Sequence, residues 1–231
     1  MGIQERKDRE REQRREEIIT AAQKVFFEKG LPAATMDEIA EEAELSKGTL
    51  YLYYKSKEDL YLAVMMRGGE VMYEMFRKAT STAENPVQLL ANLGEAYYQF
   101  FRQHRNYFRM YQFFENPQFH KQVSEEMLSA CSGNDMRVWG LVTETIKRGI
   151  DEGLLEHDLD PLQAAIILWS AGNSLMRQID RADDYWQQKM GIDLEAALQK
   201  SYQFILEGMM TEKAKQQGVP VIPLSQEPAI A

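Results

Sequence analysis

The sequence has little of several features that define whole classes of protein. It contains 231 residues but one cysteine, Cys131, which excludes an intrachain disulfide and fits a reducing compartment. No apolar run reaches the roughly 18 residues that a membrane-spanning helix needs. The charged N-terminus also lacks the apolar segment of a signal peptide. Together these absences predict a cytoplasmic protein.

Short catalytic motifs are also missing. The sequence has no Gly-x-Ser-x-Gly, no His-Glu-x-x-His and no Gly-rich phosphate loop. The histidines His104, His120 and His157 lie on separate predicted segments, so a metal site from His104, His120 and Cys131 would need an unusual fold. A redox role for Cys131 stays open, because it depends on a lowered thiol pKa. We predict neither an enzyme nor a bound cofactor or metal.

Glycine and proline are sparse before the last stretch, and no run alternates apolar and polar residues as a strand would. This pattern predicts an all-α fold of about nine helices. We expect a helix-turn-helix DNA-binding domain over residues 1–60 and a larger ligand-binding and dimerisation domain over 61–211. Residues 212–231, with three prolines and no periodicity, should form a flexible tail.

Positive charge is local in this acidic chain. The net charge is −9, and residues 1–60 carry 11 basic against 14 acidic residues, which argues against indiscriminate nucleic-acid binding. Residues 45–57 contain three lysines and no acid, whereas residues 6–15 contain six basic and three acidic residues. The second segment either follows a phosphate strand or minor groove, or is a solvated, frayed helix start with i, i+4 ion pairs.

Three helix-start signals lie close together between residues 35 and 60. Thr35 and Glu38 have the spacing of a capping box, and Ser46 is a second N-cap candidate. Ser56 is the third, with acidic residues in the following turn. Only residues 44–46 separate the first two helices, which is the spacing of a helix-turn-helix.

The second short helix is predicted to run from Lys47 to Tyr53 and to read DNA. Leu50 and Tyr54 should face inward, with Leu45 filling the turn. In a helix-turn-helix this element enters the major groove, where a lysine can donate to guanine and a glycine allows close backbone approach. The outward residues are Lys47, Gly48, Thr49, Tyr51 and Tyr53. The alternative is an ordinary three-helix cluster with a solvated polar face.

This segment resembles the TetR family of bacterial transcriptional regulators over roughly residues 15–62. The family signature appears here as Thr35, Ile39-Ala40, Ala43, Thr49-Leu50-Tyr51, Tyr53-Tyr54, Lys57-Glu58 and Leu60. The resemblance implies phosphate contacts from Thr35, Ser46, Thr49, Tyr53 and Lys57, base contacts from Lys47, Gly48 and Tyr51, and Lys55 at the phosphate margin. Glu44 stands where the family usually has glycine, so a left-handed turn there should cost about 1 kcal/mol.

Helical periodicity continues through the rest of the chain. We predict helices from Ser56 to about Ala79, from Pro86 to near His104, and over 106–115. Residues 119–153 should be helical with a break at 132–134. Asp160-Pro161 and Asp193 should begin the last two helices.

The middle helices are rich in aromatic residues and methionine. Core packing explains many of them, but such adaptable side chains also suit an apolar or aromatic ligand, as the resemblance implies. The candidate pocket residues are Met65, Met72, Tyr97, Phe101, Tyr107, Phe108, Tyr111, Phe114, Trp139 and Trp169.

The helix after Asp160 is apolar on two faces, so it needs two partners. One is its own domain, and we expect the other to be the same helix of a second subunit, approached closely at Ala171, Gly172 and Ser174. Candidate interface residues are Ile167, Ala171, Ser174, Leu175, Leu198 and Ile205. A homodimer would place two recognition helices on half-sites about 34–36 Å apart.

The function that we predict is a ligand-responsive repressor. It would bind double-stranded DNA at a palindromic operator and be released by a small-molecule effector. The alternative is a DNA-bound scaffold or adaptor of the same fold that is controlled by a protein partner.

Overall fold

The computed structural model describes residues 2–81, 85–181 and 185–218. Over these ranges the chain is helical, with one isolated bridge between Leu155 and Met210 and no strand, which confirms the all-α prediction. The described helices number twelve rather than about nine, since α7, α10 and α12 are short. They are α1 Ile3–Ala33, α2 Met36–Glu42, α3 Lys47–Tyr51, α4 Lys57–Ala79, α5 Pro86–Gln103, α6 Arg105–Phe114, α7 Pro117–His120, α8 Glu125–Asp151, α9 Pro161–Asp180, α10 Tyr185–Met190, α11 Leu194–Met209 and α12 Glu212–Lys215.

The chain divides into two compact units. The first consists of Met1–Glu70 and Asn106–Asp135, and the second of Val71–Arg105 and Met136–Ala231. The first unit therefore contains α6 and α7 in addition to the three helices of the helix-turn-helix domain that was expected over residues 1–60. The functional boundaries at residues 60 and 211 stay a prediction.

The first unit is built around an aromatic cluster. Tyr61 of α4 meets Phe26 of α1, Phe113 of α6 and Phe119 of α7 edge to face, with ring centroids 5.2, 5.7 and 5.5 Å away. Asp59 is buried, and its Oδ1 accepts a hydrogen bond from the Ser124 backbone N–H at 2.8 Å. These contacts tie residues 106–135 to the start of α4.

The second unit is held by α5 and by the pair α9 and α11. Phe100 and Phe101 of α5 are fully buried. Gly172 of α9 lies against Tyr202 of α11, and a Cβ at this glycine would collide with the tyrosine hydroxyl. Gly172 therefore serves packing inside one protomer, not the close approach of a second copy that the sequence suggested.

The break predicted at residues 132–134 is wrong, because α8 runs from Glu125 to Asp151 without interruption. Buried Cys131 and Val138 anchor the helix on either side of the weak helix formers, and Ser132 Oγ donates to the Leu128 carbonyl at 3.0 Å. Burial of these flanking residues outweighs the cost of a glycine within a helix, about 1 kcal/mol.

Two further expectations about helix ends are corrected. The helix after Asp193 is not the last one: Thr211 caps α12, and Ala214 is buried, so the predicted tail begins as a helical turn. Residues 219–231 of that tail lie outside the described residues.

Among the described helices, none is both long and apolar enough to cross a membrane.

Candidate nucleic-acid interface

All three helix starts are formed as the sequence predicts. Thr35 Oγ1 accepts from the Glu38 N–H at 3.3 Å while Glu38 Oε2 accepts from the Thr35 N–H at 2.9 Å, which completes the capping box. Ser46 Oγ accepts from the Thr49 N–H at 3.1 Å. Ser56 Oγ likewise accepts from the N–H three residues later at 3.0 Å. These caps fix where α2, α3 and α4 begin.

The turn between α2 and α3 keeps the left-handed geometry despite its glutamate. Glu44 has φ 53°, and its N–H donates to the Glu41 carbonyl at 3.0 Å. The Leu45 N–H donates to the Ala40 carbonyl at 2.9 Å. This pair of bonds is a Schellman closure, which normally uses glycine at the position of Glu44.

The candidate recognition helix, α3, is shorter than predicted and ends at Tyr51 rather than Tyr53. Its inward face is as predicted: Leu50 is fully buried and Tyr54 is nearly so. Burial also raises the pKa of Tyr54 to about 12, so its hydroxyl stays protonated. On the other side Gly48 is exposed and Tyr51 retains 45% of its surface. Of the other predicted contacts, Thr35, Ser46, Lys47 and Lys55 are exposed, and Thr49, Tyr53 and Lys57 are partly exposed.

Lys47 at the start of α3 is held by a carboxylate that the motif did not reveal. Its Nζ lies 2.8 Å from Oδ1 of Asp37, in the first turn of α2, and this hydrogen bond raises the pKa of Lys47. Both side chains are exposed, so the pair is weak and can open. To reach a base, Lys47 must exchange this carboxylate for a guanine edge.

Lys57 has an internal role that its position in the motif does not show. Its Nζ donates to the Leu31 carbonyl at 3.0 Å and to the Ala34 carbonyl at 3.1 Å. The ammonium group thereby satisfies backbone acceptors at the C-terminal end of α1. Two of its three hydrogens are engaged in this way, which leaves one for the predicted phosphate contact.

Arg67 of α4 joins this helix to α1, a role that was not predicted from the sequence. Its guanidinium donates to Glu16 Oε2 at 2.7 Å, Thr20 Oγ1 at 3.2 Å and Gln23 Oε1 at 3.0 Å along one side of α1. The Tyr107 hydroxyl of α6 donates to the same Gln23 oxygen at 2.9 Å. A local pattern could not have found this network, because its members lie 44 to 84 residues apart.

The ten candidate pocket residues divide between the two units. Met65, Tyr107, Phe108, Tyr111 and Phe114 belong to the first, and Met72, Tyr97, Phe101, Trp139 and Trp169 to the second. Many of them pack against neighbours within their unit: Tyr107 meets Phe27 at 5.1 Å, and Trp139 meets Trp169 at 5.9 Å between ring centroids.

The second unit has an open groove of about 440 Å³ between α4, α5 and α8. Tyr73, Leu89, Arg137 and Thr145 are among its lining residues, and none of the ten candidates is. The Arg137 guanidinium lies 4.1 Å from the centre of the Tyr73 ring.

The candidate interface residues on α9 and α11 differ in exposure. Ile167 retains 55% of its surface and Ser174 is exposed, while Ala171, Leu175 and Ile205 are partly exposed. The prediction that Leu198 lies in the dimer interface is wrong, because this side chain is completely buried by its own protomer and has no surface to offer a partner. Three further apolar side chains on the same two helices are exposed and were not predicted as interface residues: Leu162, Ile166 and Phe204.

Comparison with known proteins agrees with this geometry. The family described as "Bacterial regulatory proteins, tetR family" matches residues 18–64, which include all of α2 and α3 and the start of α4. The HTH-type transcriptional activator FasR of Mycolicibacterium smegmatis is 29% identical over 86% of this chain and 84% of its own length. The HTH-type transcriptional repressor KstR2 of Mycobacterium tuberculosis is 25% identical over 64% of this chain and 72% of its own.

A solved structure shares the fold along most of the chain. The transcriptional regulator FadR from Bacillus subtilis, solved in complex with stearoyl-CoA, aligns with a TM-score of 0.63 and 19% identity, and covers 84% of this chain and 98% of that one. The capped helices, the tight turn and the exposed face of α3 thus occur in a fold and a sequence context shared with regulators rather than enzymes. The helix-turn-helix segment, residues 18–64, matches the TetR family, and the chain as a whole is similar to HTH-type transcriptional regulators.

Proposed function

We propose that this regulator binds a palindromic operator as a homodimer, represses transcription there, and is released by a small-molecule effector. The observation that carries the proposal is the exposed face of α3, with Lys47, Gly48 and Tyr51 at its surface and Leu50 buried behind them. Such a helix can enter the major groove without disturbing its core. The proposed partner, chromosomal DNA, implies a cytoplasmic location.

The exposed apolar face of α9 and α11 supports the homodimer. Ile167 on α9 and Phe204 on α11 retain 55% and 61% of their surface, and Leu162 retains 61%. Large apolar side chains grouped in this way on one pair of packed helices mark a protein interface. A two-fold axis through this face gives a four-helix contact, and two-fold dimers are the commonest assemblies.

A charge placed in this face should separate the subunits. Phe204→Asp is expected to convert the dimer to a monomer in analytical ultracentrifugation and to weaken binding to a two-half-site operator. Met136→Asp is the matched control, because Met136 is also an exposed apolar side chain, at 68%, but lies on α8. A Phe204→Asp protein that stays dimeric would place the interface elsewhere.

For the effector we propose a long-chain acyl thioester of coenzyme A. The support is the bound stearoyl-CoA of the structurally similar FadR, together with the many aromatic and methionine side chains of α4, α5 and α6. In this proposal the effector prefers a state in which the two recognition helices no longer match the operator spacing. Linkage then requires operator and effector to weaken each other's binding by the same factor.

Operator affinity should therefore be measured with stearoyl-CoA and with free coenzyme A as the control. Allosteric coupling typically corresponds to a change of about 5- to 150-fold in affinity. We expect a loss in this range with the acyl thioester alone. If the acyl thioester and free coenzyme A leave the affinity equally unchanged, this effector class is wrong while DNA binding stands.

The named relatives include both an activator and a repressor, so the direction of regulation needs its own test. Recovery of genomic DNA bound to the purified protein should yield an inverted repeat that overlaps a promoter. Repression predicts that transcription from this promoter rises when the gene for the regulator is deleted. A fall in transcription would identify an activator instead.

A further inference from the structure

The first helix extends well beyond the helix-turn-helix core. α1 runs from Ile3 to Ala33 with a kink at Gly30, and its first fully buried residue is Ile18. Residues 4–14 are all exposed, so this stretch, which we call the N-terminal arm, lies outside the buried core of its unit. At 1.5 Å per residue the arm reaches roughly 16 Å from Ile18 to Lys7.

The charges of the arm are sorted by face. Lys7, Arg11 and Arg14 follow one another at spacings of four and three residues, so they lie on one stripe of the helix. The acidic side chains Glu5, Asp8, Glu12 and Glu16 form a second stripe on a different side. At 100° per residue, the centres of the two stripes are roughly 140° apart. One side of the arm is thus basic and another acidic.

The basic stripe continues the buried stripe of α1. The spacing of four and three residues carries on from Arg14 to Ile18, Ala21 and Val25, all of which are buried in the first unit. The acidic stripe continues into the opposite side, where Glu16 is bound by Arg67 of α4 at 2.7 Å. The basic stripe therefore lies on the same face of α1 as the residues that are buried in the first unit.

Two cations of this stripe, Lys7 and Arg11, are available. In the described part of the chain no ion pair joins Lys7 or Arg11 to a carboxylate, whereas Arg6 pairs with Glu10 at 2.8 Å and Arg14 with Glu17 at 2.7 Å. The chain as a whole carries a net charge of −9, which repels polyanions. An exposed basic face on the helix that packs on α2 fits the phosphates of a duplex.

From these observations we propose that the N-terminal arm is a second DNA-contacting surface, whose Lys7–Arg11–Arg14 face binds backbone phosphates that flank each half-site. The proposal rests on DNA binding by α3. Its reach of roughly 16 Å corresponds to about five base pairs at ~3.4 Å per pair. The contact carries no base specificity, because arginine and lysine on a phosphate read position rather than sequence. Its role is to lengthen the footprint of a protein that is otherwise acidic.

The test compares two double variants on two DNA lengths. Lys7→Ala/Arg11→Ala removes two charges from the basic face, and Arg6→Ala/Arg9→Ala removes two charges from other faces of the same segment. Alanine keeps the helix. The DNA is the operator recovered from the genomic experiment, used either trimmed to its inverted repeat or with eight added base pairs on each side.

On the long DNA the Lys7/Arg11 variant should bind at least about tenfold more weakly at 0.1 M salt. Its salt slope should fall by about 3.6, or 0.9 for each of the four phosphate contacts that the two protomers lose. On the trimmed DNA the Lys7/Arg11 variant should bind with the affinity of the unaltered protein. The Arg6/Arg9 variant should have the affinity of the unaltered protein on both the trimmed and the long DNA. Equal behaviour of the two variants on the long DNA overturns the proposal while leaving α3 as the reading helix. Failure of the unaltered protein to bind either DNA would instead contradict the function itself.

Discussion

Replacement of Glu44 by glycine should stabilise the protein. A left-handed conformation such as φ 53° costs a residue with a side chain roughly 1–2 kcal/mol, whereas glycine loses about 0.5–1 kcal/mol more backbone entropy on folding. The net gain is about 0.5–1 kcal/mol, and in a chain of this size it should raise Tm by roughly 1–4 °C. Thermal unfolding followed by circular dichroism at 222 nm measures this rise in Tm.

The same exchange removes a negative charge beside the recognition helix. Glu44 is exposed in the turn that precedes Ser46. Two charges ~10 Å apart in water interact by ~0.4 kcal/mol, and 0.1 M salt reduces this to ~0.15 kcal/mol. Summed over a few phosphates, the loss of the charge should strengthen operator binding about twofold.

Glu44→Gln separates the two effects, because it removes the charge but keeps the strained backbone. It should reproduce the gain in DNA affinity without the gain in Tm, whereas Glu44→Gly should show both. Equal melting temperatures of the glycine and glutamine variants would show that the backbone at Glu44 is not strained. A lower Tm of the glycine variant would contradict the strain as well, since the Schellman closure would then be stabilised by the glutamate itself.

Three further predictions concern the first unit. A Cβ at Gly68 would lie 2.6 Å from ring carbons of a tyrosine in α6, so Gly68→Ala should cost about 1–3 kcal/mol and lower Tm by several degrees. Lys57→Met should lower Tm as well as DNA affinity, because it leaves two carbonyls of α1 without their ammonium donor, whereas Lys55→Met should lower affinity alone. Asp37→Asn should free Lys47 and raise operator affinity severalfold while changing stability by less than about 1 kcal/mol, and an unchanged affinity would exclude Lys47 from the contact.

Local signals were enough to predict the helix-turn-helix. Each cap at Thr35, Ser46 and Ser56 is a contact over three residues, so the sequence contains both partners side by side. The left-handed turn at Glu44 followed from the length of the connection and the family resemblance. The helix break at 132–134 was wrong because distant packing, not local propensity, decides whether α8 continues there.

Long-range contacts explain what the sequence could not predict. The inclusion of α6 and α7 in the first unit depends on contacts such as Asp59 with Ser124, which are 65 residues apart. Burial of Leu198 in its own protomer has the same origin, since apolar periodicity gives a face but not its partner. The motif predicts one role for Lys57, which is phosphate binding. The structure adds a second role, hydrogen bonding to the Leu31 and Ala34 carbonyls, which no sequence pattern indicates.

The Arg67 network has a consequence for how the first unit opens. One guanidinium holds three side chains spread over two turns of α1, and the Tyr107 hydroxyl shares one of its acceptors. Neither helix can slip by a turn without breaking all of these bonds together. Amide hydrogen exchange in α1 (residues 16–27) and in α4 (residues 60–70) should therefore proceed at one common rate, as expected for a single cooperative opening. Arg67→Lys, which cannot span the same acceptors, should split that rate into two.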